Sequence, residues 1–292
     1  MTENQDRSAD ARRFMEANQE LWDEWTDIHE SSDFYDLQSF IRGDENPDER
    51  RGPPGVRLRN YEIAEVGDVT GKDLLHLQCH FGIDTLSWAR LGARVTGADF
   101  SPKAVALARK VAGQIGIEAK FVQANVYDLP EVLEGEFDIV YTSRGALPWL
   151  PDIQRWARVA AHFVRPGGFL YVTEAHPVLW VFDDENVEVG ELRPKFPYFS
   201  HDEPITFPTE GSYADRAAEI KSPYEYGWNH GLGEVVTALV DAGLTIESLK
   251  EFPFVDWKWP FLEEWEDGTY RLPKATGAEL PLFFSLKATK AA

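Results

Sequence analysis

The sequence predicts an α/β fold built on a largely parallel sheet, and three observations carry that prediction. A short apolar run, Leu74 to Leu77, is followed by a polar turn holding Gly82, a helical segment from about Thr85 to Leu91, and a second strand, Ala93-Arg-Val-Thr-Gly-Ala98, that ends in the acid Asp99. Strand and helix then keep alternating with short connections to about Glu174, and β-α units of this length imply parallel strands with right-handed crossovers. Proline and glycine punctuate the alternation at Ser101-Pro102 and Pro166-Gly167-Gly168. In such sheets ligands bind at the carboxyl ends of the strands, where an acid can accept hydrogen bonds from ribose hydroxyls.

Taken in order, the first dozen residues are polar and expected to fray. From Asn18 to His29 the apolar positions Leu21, Trp22, Trp25 and Ile28 recur at helical spacing and predict one face of an amphipathic helix. Phe34 to Ile41 also has helical character, and Gly43 to Gly55, with Pro47, Pro53 and Pro54, reads as a flexible loop. Asn60 to Glu65 predicts a helix leading into the sheet. After Asp99 a helix runs to about Ile115, then come strands near Ala119 to Gln123 and Phe137 to Tyr141, a helix from about Asp152 to Val164, and a fifth strand from Phe169 to Thr173.

There the rhythm breaks. Residues 176–230 are rich in proline and aromatics without a clean repeat; a helix from about Leu232 to Ala242, with Gly243 as its C-cap, restores order. Leu244 to Glu251 predicts a strand, 252–274 a second aromatic-rich insertion, and Leu280 to Lys287 the last strand. Long loops this aromatic are expected to be a lid and pocket wall, not disorder. The expected division is a helical N-terminal extension over 1–59 and a main domain over 60–292, with the insertions covering substrate.

Composition excludes more than it selects. The 292 residues are 43% hydrophobic, enough for a sizeable core, and no segment is long and apolar enough to span a membrane. The polar start lacks the apolar stretch of a secretory signal, and one cysteine, Cys79, rules out an internal disulfide framework, so a reducing cytoplasm is expected. Fifty acidic against 29 basic residues leave a net charge of −21, which repels phosphate and argues against nucleic acid and anionic membranes as partners. A small uncharged or cationic substrate stays open, and the sequence leaves the oligomeric state open too.

Four segments carry a resemblance to class I, Rossmann-like, S-adenosylmethionine-dependent methyltransferases. They are His76-Leu-Gln-Cys-His-Phe-Gly82, Asp99-Phe100, Phe121-Val-Gln-Ala-Asn-Val-Tyr-Asp-Leu-Pro130 and Phe137-Asp-Ile-Val-Tyr-Thr-Ser143, in the family's order and spacing. The resemblance implies a seven-stranded, mostly parallel sheet with the last strand antiparallel and helices on both faces. It also implies S-adenosylmethionine as cofactor: a loop formed by Gln78, Cys79, His80 and Gly82 beside it, Asp99 on the ribose, Phe100 on the adenine face, Asn125 and the Val126 N–H at the adenine edge, and Ser143 by the methionine part. His76 departs from the usual acid, and Gln78 and His80 stand where glycine is usual. Non-glycine residues there need ordinary backbone angles or a repositioned loop. A subgroup of bacterial methyltransferase-like proteins carries the same Leu-Gln-Cys-His-Phe-Gly run, which this chain resembles.

Methyl transfer is an in-line displacement, so the protein must align its reactants, exclude water and, for a protonated nucleophile, supply a base. Trp149, His176 and His230 are the candidates, with Glu174, Tyr226 and Trp228 beside them; Ser143, Arg144 and Trp149 are expected to border the methyl group. His176 or His230 is expected to act as base, with a hydrogen-bonded structural histidine as the plain alternative. Trp22, Trp25, Tyr35, Trp257, Trp259 and Trp265 are candidates for an aromatic pocket, with ordinary packing the plainer reading of each. Two other readings compete: a non-catalytic binder of S-adenosylmethionine or S-adenosylhomocysteine, and an NAD-dependent oxidoreductase. The latter lacks its Gly-x-Gly-x-x-Gly here, since Gln78 to Gly82 holds one glycine. No metal centre is expected: His76 and His80 lie on a strand end and a turn, and the Asp183-Asp-Glu185 cluster, which has the chemistry to hold a divalent ion, is explained as well by an exposed acidic loop.

Overall fold

The computed structural model describes residues 2–292, with side chains from Ala11 onward; of the dozen residues expected to fray, Met1 lies outside the described residues and those from 2 to 10 are described by their backbone alone. Seven strands form the main sheet: β1 (Asp73–Leu77), β2 (Arg94–Asp99), β3 (Ala119–Gln123), β4 (Phe137–Thr142), β5 (Val164–Ala175), β8 (Leu244–Phe252) and β11 (Phe283–Lys290), in the order β3-β2-β1-β4-β5-β11-β8. The first five pair in parallel, and β11 inserts antiparallel between β5 and β8, as the resemblance implied.

Both faces are covered, which is why the parallel strands read as apolar runs. Strand alternation sends Leu75, Leu77, Val140 and Val172 to one face, against Trp156 and Phe163 of α7 (Ile153–Phe163) and Leu239 of α8 (Leu232–Asp241). Leu74, Ile139, Tyr141 and Tyr171 point the other way, onto Trp88 of α4 (Ile83–Arg90). Helix α5 (Pro102–Ile115) starts as read: Ser101 caps it by accepting from Ala104 N, and Pro102 fills its first turn. Helix α3 (Asn60–Val66) leads into β1.

Four elements have bounds that differ from expectation. The N-terminal helix α1 runs from Thr2 to Ser31, well before Asn18, and α2 is confined to Leu37–Arg42. Strand β5 begins at Val164, directly where α7 stops, so the Pro-Gly-Gly turn lies within it; the register with β4 slips between Phe137 and Ile139. A Cβ at Gly168 would fall 2.7 Å from the carbonyl oxygen of Asp138, which explains why the chain can be that close only without a side chain. The last strand lies three residues later than its apolar pattern suggested, because its register is set by two neighbours at once: Phe283 stands opposite both Ala175 and Phe252.

The Gly43 to Gly55 loop is anchored, contrary to its composition. Asn46 Nδ2 donates to the carbonyls of Gly52 and Val56 (2.7 and 2.8 Å), and Asp48 binds Arg50 and Arg59. The second insertion, 252–274, holds the short ribbon β9 (Glu263–Glu264) with β10 (Tyr270–Arg271) and packs Val255, Phe261, Leu262 and Leu272 into a satellite core with Leu179 and Leu282. In the first insertion, β6 (Ile205–Pro208) pairs antiparallel with β7 (Tyr224–Gly227).

One residue in β2 bears directly on the site. A Cβ at Gly97 would meet Cys79 Sγ and the Phe121 ring at 2.8 Å each, and neither lies at the end of a flexible chain. Gly97→Ala is therefore expected to cost about 1–3 kcal/mol by overpacking under the loop after β1, read as a lower urea midpoint with unchanged m-value.

Candidate functional site

The loop after β1 keeps glycine-like backbone angles without glycine. Gln78 and His80 have φ of 57° and 50°, and Gly82, at 80°, caps the start of α4. This is neither the ordinary conformation nor the repositioned loop expected for non-glycine residues. Each left-handed side-chain-bearing residue costs about 1–2 kcal/mol, so the surroundings must enforce it. They do. Gln78 Nε2 donates to Ala146 O at 2.9 Å, Cys79 N to Ala98 O at 3.0 Å, and His80 N to Asp99 Oδ2 at 2.7 Å. Cys79 is buried beneath the loop against Gly97, and burial pushes its thiol up, which makes it packing and not a nucleophile.

Asp99 ends β2 nearly buried, its Oδ1 accepting from Ser101 N (2.9 Å) and its Oδ2 from His80 N. Burial raises its carboxyl to about 6 against the hydrogen bonds from the backbone of Ser101, His80 and Phe100. A carboxylate has about four lone-pair sites, so acceptor capacity stays available for a donor from a ligand. Phe100 O accepts from Gln19 and Gln123 (2.7 and 3.0 Å). Asn125 accepts from Tyr127 N through Oδ1, while its Nδ2 faces only Met15 Sδ at 3.7 Å, a weak acceptor; Val126 is buried beside it. Across the loop, His76 bridges Thr85 Oγ1 (2.8 Å) and Ser143 Oγ (3.0 Å), and burial lowers its imidazole to about 4, so it is neutral where the family has an acid.

Beyond β4 the chain is tied down by buried carboxylates. Arg144 donates to Glu62 Oε2 (2.8 Å) and Asp84 Oδ2 (2.9 Å), and Tyr141 OH donates to Glu62 Oε1 (2.5 Å). Arg144 thus locks α3 to α4 and has its guanidinium engaged. Glu174, 1% exposed at the end of β5, accepts from the backbone N–H groups of Gly145, Ala146, Leu147 and Ala175. Burial nevertheless lifts its carboxyl to about 7. Its place is to shape the 145–147 turn that receives Gln78.

Helix α1 lies across these segments. Besides Gln19 and Met15, it supplies Asp23, which accepts from Ser101 Oγ at 2.5 Å, and it fastens the first insertion through Asn18 to Tyr226, Glu24 to Ser222 and Trp25 Nε1 to Gly211 O. Its aromatic face closes over the loop: Trp22 packs edge-on against His80 and Trp149 (5.0 and 5.3 Å between ring centres), and His29 Nδ1 lies 2.9 Å from His80 Nε2. Tyr35 and Tyr213 share a hydroxyl contact and flank His29. Sequence reading missed His29 and Tyr213. His29 has a signal in hindsight, since it falls seven residues after Trp22 and four after Trp25, on the same helical face.

The expected catalytic residues separate. Trp149 joins the aromatic cluster, edge-on to Trp22 and Trp25. His176 does not: its Nδ1 accepts from Val178 N (3.1 Å) and its Nε2 donates to Glu251 Oε1 (3.0 Å), beside Phe284. His230 donates from Nε2 to Leu150 O at 2.6 Å at the start of α8. Among the described residues neither shares a hydrogen bond or ring contact with the loop after β1, which leaves both the structural reading weighed against them. The aromatic candidates divide likewise: Trp22, Trp25 and Tyr35 surround His29, whereas Trp257 and Trp259 pack on the satellite core and Trp265 lies under Arg271 and Lys274. Gln78 Oε1, His80 Nδ1, His29 Nε2 and Thr142 Oγ1 are buried there without a hydrogen-bond partner. Orphaned polar atoms converging on one loop mark a place built to receive a polar ligand.

Residues 75–172 match the family described as a methyltransferase domain, and this segment runs from within β1 to within β5 and holds the loop after β1. The ubiquinone biosynthesis O-methyltransferase of Serratia proteamaculans is 32% identical over 148 residues, 50% of this chain and 60% of that protein. The Escherichia coli protein of the same name is 34% identical over 131 residues, 45% of this chain and 53% of that one. The chain thus spans little more than half the length of these curated relatives. Among solved structures, an S-adenosylmethionine-dependent methyltransferase from Mesorhizobium loti superposes with a TM-score of 0.54 at 21% identity, over 77% of this chain and 94% of that one. One from Clostridium acetobutylicum gives 0.51 at 12% identity, over 80% and 89%. At such identities the likeness is one of fold.

Proposed function

We propose that this protein transfers a methyl group from S-adenosylmethionine to a small-molecule acceptor. The observation that carries the reading is Asp99 at the end of β2, bonded to His80 N, with lone pairs to spare beneath a strained loop lined by orphaned polar atoms. These residues fit the cofactor. Asp99 would accept from the ribose hydroxyls, Gln78 Oε1 offers an acceptor for an ammonium donor, and Asn125 Nδ2 can exchange a weak sulfur acceptor for an adenine nitrogen. Ser143, held by His76, would stand by the methionine part. When bound, S-adenosylmethionine supplies an electrophilic methyl group on a sulfonium.

The chain's own contribution is to hold and shield. The 1–59 segment serves as lid, since α1 contacts the Phe100, Ser101 and Asn125 positions and closes an aromatic face over His80. Water is kept from the reacting groups by Trp22, Trp25 and Trp149. The Leu-Gln-Cys-His-Phe-Gly run would mark a subgroup in which side chains replace loop glycines while the backbone path is kept. Oxygen as the acceptor atom is supported by the names of the curated relatives. The strongly negative charge argues for a small acceptor and against nucleic acid, and the single buried thiol suits a reducing cytoplasm.

Calorimetric titration with S-adenosylmethionine, S-adenosylhomocysteine and NAD tests this. Micromolar binding of the first two, with none for NAD, is expected. Binding of NAD alone would replace the reading by an oxidoreductase one, and binding without methyl transfer to any hydroxylated acceptor would leave a cofactor-binding protein.

A further inference from the structure

Resting on the methyltransferase reading, the geometry points to His29 and His80 as a hydrogen-bonded imidazole pair that takes the proton of an aromatic hydroxyl acceptor bound against the aromatic cluster of Trp22, Trp25, Tyr35 and Trp149. The pairing is direct, His29 Nδ1 to His80 Nε2 at 2.9 Å. Each ring spends its inner nitrogen on the other, and the outer nitrogens, His29 Nε2 and His80 Nδ1, are both buried and unpartnered. One inner nitrogen must donate and the other accept, so the pair presents one outward lone pair and one outward N–H. Two buried nitrogens without partners on a paired unit are costly, and a ligand with a hydroxyl would satisfy them.

The surroundings select the ligand. Trp22, Trp25, Tyr35 and Tyr213 all lie within ring-contact distance of His29, and Trp22, Tyr35 and Phe81 of His80, so the walls suit a planar ring. Among the described residues no carboxylate bonds either imidazole; Asp99 reaches only the backbone N–H of His80. Burial keeps both rings neutral and also weakens them as bases, so the pair holds the proton only while the phenolate it leaves behind stands beside the imidazolium.

The step balances without an outside reagent. The acceptor O–H breaks and its proton goes to His80 Nδ1, where the pair shares it; the oxygen lone pair forms the new O–C bond as the C–S pair stays on sulfur. His80, on the loop, is the residue that touches the acceptor, and His29 is the positioning partner that fixes its tautomer.

The test uses para-nitrophenol, whose phenolate is coloured, and the full-length protein saturated with S-adenosylhomocysteine. Bound dye is expected to be at least about tenfold more ionised than free dye at the same mildly acidic pH, a shift of a pH unit or more. His29→Gln and His80→Gln are each expected to bind dye without that excess of phenolate. Dye that does not bind, binds without ionising, or ionises equally in both variants overturns the assignment. S-adenosylhomocysteine affinity, measured beside each titration, separates the two failures: its absence in the wild-type protein sinks the methyltransferase reading, and its presence without dye ionisation sinks the histidine pair alone.

Discussion

Asp99→Asn is expected to weaken S-adenosylmethionine binding by about two orders of magnitude, the worth of two hydrogen bonds from hydroxyls to a charged acceptor. The amide retains most of the shape and can still accept from one of the backbone N–H groups that now hold the carboxylate, so the loop should survive. The pH dependence is the sharper readout. In the free protein burial raises the Asp99 carboxyl to about 6. Ribose hydroxyls donating to it favour the carboxylate and bring that value down, so binding releases a proton. Affinity should be full above pH 6 and fall as the pH drops through it, by up to about tenfold per unit, and the Asn variant should be flat over the same range. The same shift carries a cost in stability. A carboxyl whose folded value lies about two units above its unfolded one stabilises the fold only at low pH, and at pH 7 its ionisation costs about 3 kcal/mol. That cost sits where a ligand would relieve it.

The second large effect concerns stability. Arg144→Met removes the cation that Glu62 and Asp84 share and leaves a fully buried carboxylate beside a half-buried one, so a loss of about 3–5 kcal/mol is expected. For a chain of this size that is a fall of roughly 10 °C in Tm, measurable by calorimetry. Acid should partly rescue the variant. Complete burial already raises the Glu62 carboxyl in spite of Arg144. Without the arginine it rises further, the folded state binds a proton the unfolded state does not, and stability climbs as the pH falls from neutral. A variant as stable as the parent, or one made worse by mild acid, would remove the buried ion network from this account. Such a residue is easily mistaken for a substrate contact, as its place after the fourth strand invited.

What was legible in the sequence was local. Leu74 to Leu77 announced a strand covered on both faces, Ser101-Pro102 a capped helix, and Asp99 an acid at a strand's carboxyl end, because each signal lies in a few consecutive residues whose backbone chemistry permits few conformations. The order of the sheet followed from the β-α rhythm and the class it resembles. The loop was only half legible: that Gln78 and His80 replace glycine is plain in the chain, but that they keep positive φ is decided by Ala146, Ala98 and Asp99, which reach them from other strands. Tertiary structure alone gave His176 to Glu251, drew Arg144 into the core, and set His29 against His80 across 51 residues. A histidine's chemistry lies in what its two nitrogens meet. That depends on how a distant helix packs, and the packing of α1 is written in the aromatic residues of four segments together, not in the spacing of any one.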